Sequence, residues 1–144
     1  MDIARLFDIS GKTALVTGGS GGIGYMIATA LAQAGCKVFI CSRKEKDIEA
    51  AADRLRAFGD VTAIASDVGS EAGVTKVADV VNAAGPLHIL VNNAGTTWGA
   101  PLDQFPRAGF EKVLQLNLLA PFEITKALLP ALRAASTEIG RAHV

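Results

Sequence analysis

Four short runs constrain this chain most: KTALVT at 12–17, KVFIC at 37–41, VTAIA at 61–65 and HILV at 88–91. They are nearly continuous in apolar or β-branched residues, and each is followed by a stretch of helical periodicity. A strand with one face in water alternates polar and apolar residues; a strand apolar throughout is covered on both faces. The cover is expected from helices. Ile23, Met26, Ile27, Ala30, Leu31 and Ala34 form one stripe, closed by Gly35. Ile48, Ala51, Ala52 and Leu55 mark a second helix ending near Gly59, and Val74, Val77, Ala78 and Val81 a third. Two further helical segments are predicted at about 106–116 and 118–135. Strand, helix and parallel strand in succession make right-handed βαβ units. The predicted fold is therefore α/β, a Rossmann-type doubly wound parallel sheet of about four strands with flanking helices. At 144 residues the chain holds one domain at most, with no internal repeat or linker.

The sequence TGGSGGIG, 17–24, lies between the first strand and the first helix. Glycine permits a tight turn and lets backbone approach a ligand with no Cβ in the way. The helix start beyond it offers unpaired N–H groups and a partial positive charge, which together suit phosphate. A glycine-rich turn that binds nothing is the plain alternative. At the first βα turn of a βαβ unit, however, this loop points to a dinucleotide site, with Thr17, Gly18, Ser20, Gly22, Ile23 and Gly24 as candidate contacts.

The spacing is T-G-x-x-x-G-x-G, set by Gly18, Gly22 and Gly24. Asp67-Val68 follows the third strand, NNAG (92–95) the fourth, and Asn117 sits in LQLNLLAP. In these four motifs the chain resembles the short-chain dehydrogenase/reductase family. The resemblance implies that Asp67 and Val68 contact adenine, that Asn93, Ala94 and Gly95 pack against the cofactor, and that Asn117 is the helix-kinking catalytic asparagine. Within the family, NNAGTTWGAPLDQFPRAGFEKVLQLN is most similar to 3-oxoacyl-carrier-protein reductases, particularly the branch associated with rhamnolipid biosynthesis. Two positions depart from the pattern. Gly21 stands where many NADP-using members carry a basic residue, and His88 replaces the usual aspartate of LDILVNNAG.

The end of the second strand bears on cofactor choice. An NAD site has an acidic residue there for the ribose 2′-OH; this chain has CSRKEKD, with Ser42 and Arg43 at the candidate position. Ser42 and Glu45 have the spacing of a capping box for the following helix. Arg43 and Lys44 are not explained that way, because cations at a helix N-terminus are disfavoured by about 0.3–1 kcal/mol. A 2′-phosphate reverses the sign and gives Arg43 a charge-assisted partner. The expected cofactor is NADP(H) in preference to NAD(H).

By resemblance, the reaction is hydride transfer between the nicotinamide and a small carbonyl or alcohol substrate, including 3-oxoacyl compounds. The family uses a tyrosine acid/base, a lysine four residues later that lowers its pKa, a serine that orients the carbonyl, and the asparagine. Of these roles only the last is filled here, by Asn117. The sole tyrosine, Tyr25, follows the glycine motif, and its i+4 residue is Thr29; it reads as a structural helix side chain. The resemblance thus implies that the chain is the N-terminal, cofactor-binding part of an oxidoreductase, and it is expected to be inactive alone. A non-catalytic dinucleotide-binding module is the alternative. A Rossmann methyltransferase is disfavoured by the glycine spacing and by NNAG. Thr96, Thr97 and Trp98 are positioned to face substrate, with packing the other option for Trp98.

The resemblance also implies strands beyond the fourth, without which Ile89, Leu90 and Val91 form an open apolar sheet edge. The last helix is apolar all round, at Leu118, Leu119, Phe122, Ile124, Leu128, Leu129 and Leu132. Such a helix expects burial on two sides, here against the sheet and against another subunit of a homo-oligomeric parent protein.

Fourteen basic and fourteen acidic side chains balance with no basic stripe, which gives nucleic acid or an anionic membrane surface no electrostatic handle. No apolar run reaches the ~20 residues of a membrane span, and the start has no signal-peptide core. A cytoplasmic location is expected. Cys36 and Cys41 flank a strand and would lie roughly 16 Å apart at strand rise, too far for a disulfide. His88 and His143 lack partners at metal-ligand spacing, so no metal site is expected. The last residues, EIGRAHV (138–144), read as the translation of a sequencing-library adapter followed by its stop codon. The expected organisation is one cofactor-binding unit over 1–137 and a non-native tail over 138–144.

Overall fold

The computed structural model describes residues 3–136; the expected boundary after 137 and the tail 138–144 lie outside the described residues. Four parallel strands, β1 (Thr13–Thr17), β2 (Lys37–Ser42), β3 (Val61–Ala65) and β4 (Ile89–Val91), form one sheet in the order β3-β2-β1-β4. The register runs from Thr13 against Lys37, Val38 against Val61, and Ala14 against Ile89. Each anticipated apolar run is a strand, and β1 and β2 are buried on both faces, as their unbroken apolar character requires.

A short exposed helix, α1 (Ile3–Leu6), precedes the sheet. Helices α2 (Gly22–Gln33) and α3 (Glu45–Leu55) cover one face, enclosing Val16, Val38, Ile40, Ile48 and Leu55. On the other face α4 (Glu71–Ala83), α6 (Ala120–Ala127) and α7 (Leu129–Ser136) enclose Leu15, Phe39, Val77, Val81, Ile124 and Leu128. The apolar stripes expected for α3 and α4 are the buried ones.

The stripe expected for α2 is not. Ile23 and Met26 are 70% and 68% exposed, and the sheet-facing positions are Gly24, Ala28 and Ala32. This helix lies so close to the strands that only small side chains fit beneath it, and Tyr25, Ile27 and Leu31 fill the flanks. Helical periodicity registers large apolar residues and is blind to a face chosen for smallness.

The C-terminal helices also differ from expectation. After a 3₁₀ turn at Leu102–Gln104, α5 (Arg107–Leu114) runs into a π-helical segment, Gln115–Leu119, and continues directly as α6. The break falls later, at Leu128, where Pro130 supplies no N–H. Asn82 of α4 spans that break: its Nδ2 donates to the Ala127 carbonyl (3.1 Å) and its Oδ1 accepts from the Ala131 N–H (3.3 Å). Within this chain the apolar circumference is divided. Ile124, Leu128, Ala131 and Ala135 face the core, while Leu118 and Phe122 are 68% and 62% exposed.

Strand β4 is one of the two sheet edges among the described residues, β3 being the other. His88, just before it, accepts the Thr13 N–H on Nδ1 at 3.1 Å, an acceptor role that an aspartate in that place would also serve. Cys36 and Cys41 are free and buried.

Candidate functional site

The strand order reverses direction between β1 and β4, and in open α/β sheets ligands bind outside the carboxyl ends of the strands at such a switch point. Four loops converge there around a cleft of about 380 Å³. The glycine loop contributes Gly18 and Ser20, and the end of β2 contributes Ser42 and Arg43. The end of β3 brings Asp67 and Val68, and the end of β4 brings Asn93, Ala94 and Gly95. All nine are sequence candidates. Thr17, Gly22, Ile23, Gly24 and Asn117 do not line the cleft.

Thr17 lies behind it, 2% exposed. Its hydroxyl donates to the Val91 carbonyl (3.3 Å) and accepts the N–H groups of Asn93 (3.1 Å) and Ala94 (2.9 Å). That uses the one hydrogen and both lone pairs a hydroxyl has. Asn93 returns the contact: its Nδ2 donates to the carbonyls of Thr17 (3.0 Å) and Gly18 (3.4 Å). The NNAG loop is thereby locked onto the glycine loop.

That lock explains the glycines. Gly18 and Gly22 have φ of +71° and +54°, a region that disfavours side chains. At Gly24 the reason is contact instead: a Cβ there would sit 2.3 Å from the Gly18 carbonyl oxygen and 2.5 Å from Asn93 Nδ2. The first turn of α2 has no side-chain cap, which leaves N–H groups of Gly22, Ile23 and Gly24 able to hold an anion.

Ser42 requires a correction. It does not cap α3. Strand β2 extends through Ser42, which pairs with Ala65, and its carbonyl accepts the Ser66 N–H at 2.9 Å. The helix begins at Glu45 with Lys44 in the cap position and no side-chain cap bond. One more ladder residue has moved Ser42 out of reach of the helix. Its hydroxyl is consequently buried with no partner, beside the exposed Arg43. Lys44 and Asp47 also line this end of the cleft, paired at 3.8 Å.

Asp67 heads a tight turn. Its Oδ1 accepts the Gly69 N–H at 2.9 Å, and its carbonyl accepts the Ser70 hydroxyl at 2.9 Å, while Ser70 caps α4 through the Gly73 N–H. At the opposite end, Asn117 lies within the π segment and holds both backbone groups of Thr96. Its Oδ1 accepts the Thr96 N–H (2.8 Å) and its Nδ2 donates to the Thr96 carbonyl (2.9 Å). Trp98 packs: its ring lies on Gly109, where a Cβ would come within 2.7 Å of it, and Lys112 Nζ stands 5.7 Å from the ring centre.

Sequence reasoning missed several cleft residues. Cys41 lines it, with burial pushing its thiol up to about 12, so it stays neutral and unreactive. Ser66 lines it while donating to the Gly73 carbonyl at 2.8 Å. Leu116 enters from the π segment. Leu116 directly precedes Asn117 in LQLNLLAP, but one leucine among several there carries no local signal that it faces the cleft. Position before Asp67 is the only hint at Ser66.

A sequence profile described as short chain dehydrogenase matches residues 12–141. The rhamnolipids biosynthesis 3-oxoacyl-[acyl-carrier-protein] reductase of Pseudomonas aeruginosa is 49% identical over 142 residues, covering 96% of this chain and 54% of that protein. Among solved structures, the Pseudomonas aeruginosa RhlG/NADP active-site complex superposes with a TM-score of 0.86 at 49% identity, covering 90% of this chain and 51% of that one. L-sorbose reductase from Gluconobacter frateurii, complexed with NADPH and L-sorbose, gives a TM-score of 0.83 at 33% identity, covering 88% and 49%. The chain spans about half the length of the relatives it matches.

Proposed function

The chain belongs to the short-chain dehydrogenase family, and from that premise we propose that it forms the cofactor-binding part of an NADP(H)-dependent carbonyl reductase of the 3-oxoacyl type. The observation that carries the cofactor choice is the buried, unpartnered Ser42 hydroxyl, with its exposed chain neighbour Arg43 lining the same cleft. A buried hydroxyl without a partner is costly, and a 2′-phosphate offers it an acceptor and Arg43 an opposite charge. The relatives solved with NADP or NADPH point the same way. When bound, the nicotinamide supplies the hydride. The residues of this chain bind and orient: the first turn of α2 for the pyrophosphate, Asp67 and Val68 for adenine, and Ala94 and Gly95 along the cofactor. Thr17 and Asn93 act in this scheme by holding the two loops together, and Asn117 by holding Thr96.

Titration calorimetry tests the choice. Arg43→Asp is expected to weaken NADP+ binding about tenfold or more, the scale of one charge-assisted hydrogen bond, and to favour NAD+. Unchanged NADP+ affinity would remove the basis for the assignment.

The acid/base step needs a tyrosine and lysine that these 144 residues do not pair. Tyr25 sits on α2 under the Arg54 guanidinium, 5.2 Å from its ring, and its i+4 neighbour Thr29 bonds back to the Tyr25 carbonyl at 2.8 Å. This chain alone is proposed to bind cofactor without turnover, so NADPH-dependent reduction by purified 1–144 would overturn the proposal. The exposed face of Leu118 and Phe122 is proposed as the surface that a homo-oligomeric parent protein covers. A cytoplasmic setting belongs to the same proposal; among the described residues no helix is long and apolar enough to cross a membrane.

A further inference from the structure

The π segment serves more than one loop of the cleft. Gln115, its first residue, donates from Nε2 to the Gly69 carbonyl at 3.2 Å. Leu116 lines the cleft and approaches a Cβ position on Gly69 to 3.7 Å. Asn117 holds Thr96 on the far side. Consecutive residues of one turn therefore reach the loop after β3 and the loop after β4. Such turns occur mostly as single-turn insertions within α-helices, frequently at functional sites.

Beyond Ser66, whose N–H bonds to the Ser42 carbonyl of β2, the other hydrogen bonds of this loop among the described residues stay within it and its own helix. The Gly69 N–H and the Ser70 hydroxyl both bond to Asp67, and the Ser70 N–H bonds to the Asp67 carbonyl at 3.1 Å. Among the described residues, the Gln115 bond spans 46 positions and is the hydrogen bond that ties residues 67–70 to a distant element. Val68 anchors the turn in the core by packing, and the tie to Gln115 adds the directional hold that packing lacks.

We propose that Gln115 is a positioning residue for the adenine side of the cleft: through the Gly69 carbonyl it sets the 67–69 turn, and with it the Asp67 carboxylate, without itself touching a ligand. This rests on the cleft being a dinucleotide site. The probe is 2′,5′-ADP, which carries the adenine ribose and the 2′-phosphate but no nicotinamide. Its binding to the 144-residue chain is measured by calorimetry, together with native-state hydrogen exchange at the Gly69 amide. Gln115→Met keeps length and packing but removes the donor; Gln115→Glu keeps the shape and replaces the donor with an acceptor.

Both variants are expected to weaken 2′,5′-ADP about three- to tenfold, the scale of one lost net hydrogen bond, and to speed Gly69 exchange with no ligand present. A lowered melting temperature with unchanged affinity and unchanged Gly69 exchange would show that Gln115 merely packs, and would overturn the proposal alone. Wild-type chain that fails to bind 2′,5′-ADP would overturn the dinucleotide reading and this proposal with it.

Discussion

The rim of the cleft and the outer face of the α5–π–α6 rod lie on neighbouring parts of the chain but are held by different forces. Around the cleft, the Thr17 hydroxyl, the Asn93 amide and the Asn117 amide each satisfy two or more backbone groups of the loops they join. On the outer face, Leu114, Leu118, Leu119 and Phe122 line an apolar groove of about 740 Å³. Hydrogen bonds specify one geometry and penalise departures from it. Exposed apolar area specifies only that something should cover it. The two regions should therefore respond oppositely to substitution.

The strongest way to break that contrast is Gly24→Ala. The added Cβ would meet the Gly18 carbonyl at 2.3 Å and Asn93 Nδ2 at 2.5 Å, so α2 or both loops must shift. Urea unfolding should show a loss of about 3 kcal/mol, the upper range for overpacking, and cofactor binding should vanish. A near-neutral result would mean that the interlock of the loops is looser than its contacts indicate. Thr17→Val is the next test. It preserves shape but leaves the Asn93 and Ala94 N–H groups without their acceptor. The expected cost is about 1–3 kcal/mol, read from the same denaturation curves.

The smallest effect belongs to the outer face. Leu118→Ser and Phe122→Ser should each change stability by no more than about 0.5 kcal/mol, as is usual for exposed positions. Both should reduce self-association in sedimentation velocity. If Phe122→Ser costs as much as Thr17→Val, the face is buried in solution and the contrast between the regions fails.

Much of this architecture was readable beforehand, for reasons that differ by element. The stripes of α3 and α4 are large apolar residues at helical spacing, and they are the buried residues. The α2 stripe failed because its sheet-facing residues, Gly24, Ala28 and Ala32, are marked by small size, which a hydrophobic pattern does not register. The capping box at Ser42 had the right spacing but lost to one more ladder pair with Ala65, a competition settled by where β3 lies. Cleft residues within motifs were found from the sequence. Gln115 and Leu116 are the exception: they precede Asn117 in LQLNLLAP, yet nothing near them in the chain reports a partner at Gly69.

From sequence alone came the parallel α/β order, the family, the glycine loop and the cationic end of β2, since each depends on residues close together in the chain. Only the tertiary structure decided that the Thr17 hydroxyl joins two loops, that Ser42 is left without a partner, and that a π turn joins both ends of the cleft. The physical reason is common to all three. A hydrogen bond is consumed or spared by partners far away in sequence, and the burial that makes an unpaired group matter exists only once the layers have packed.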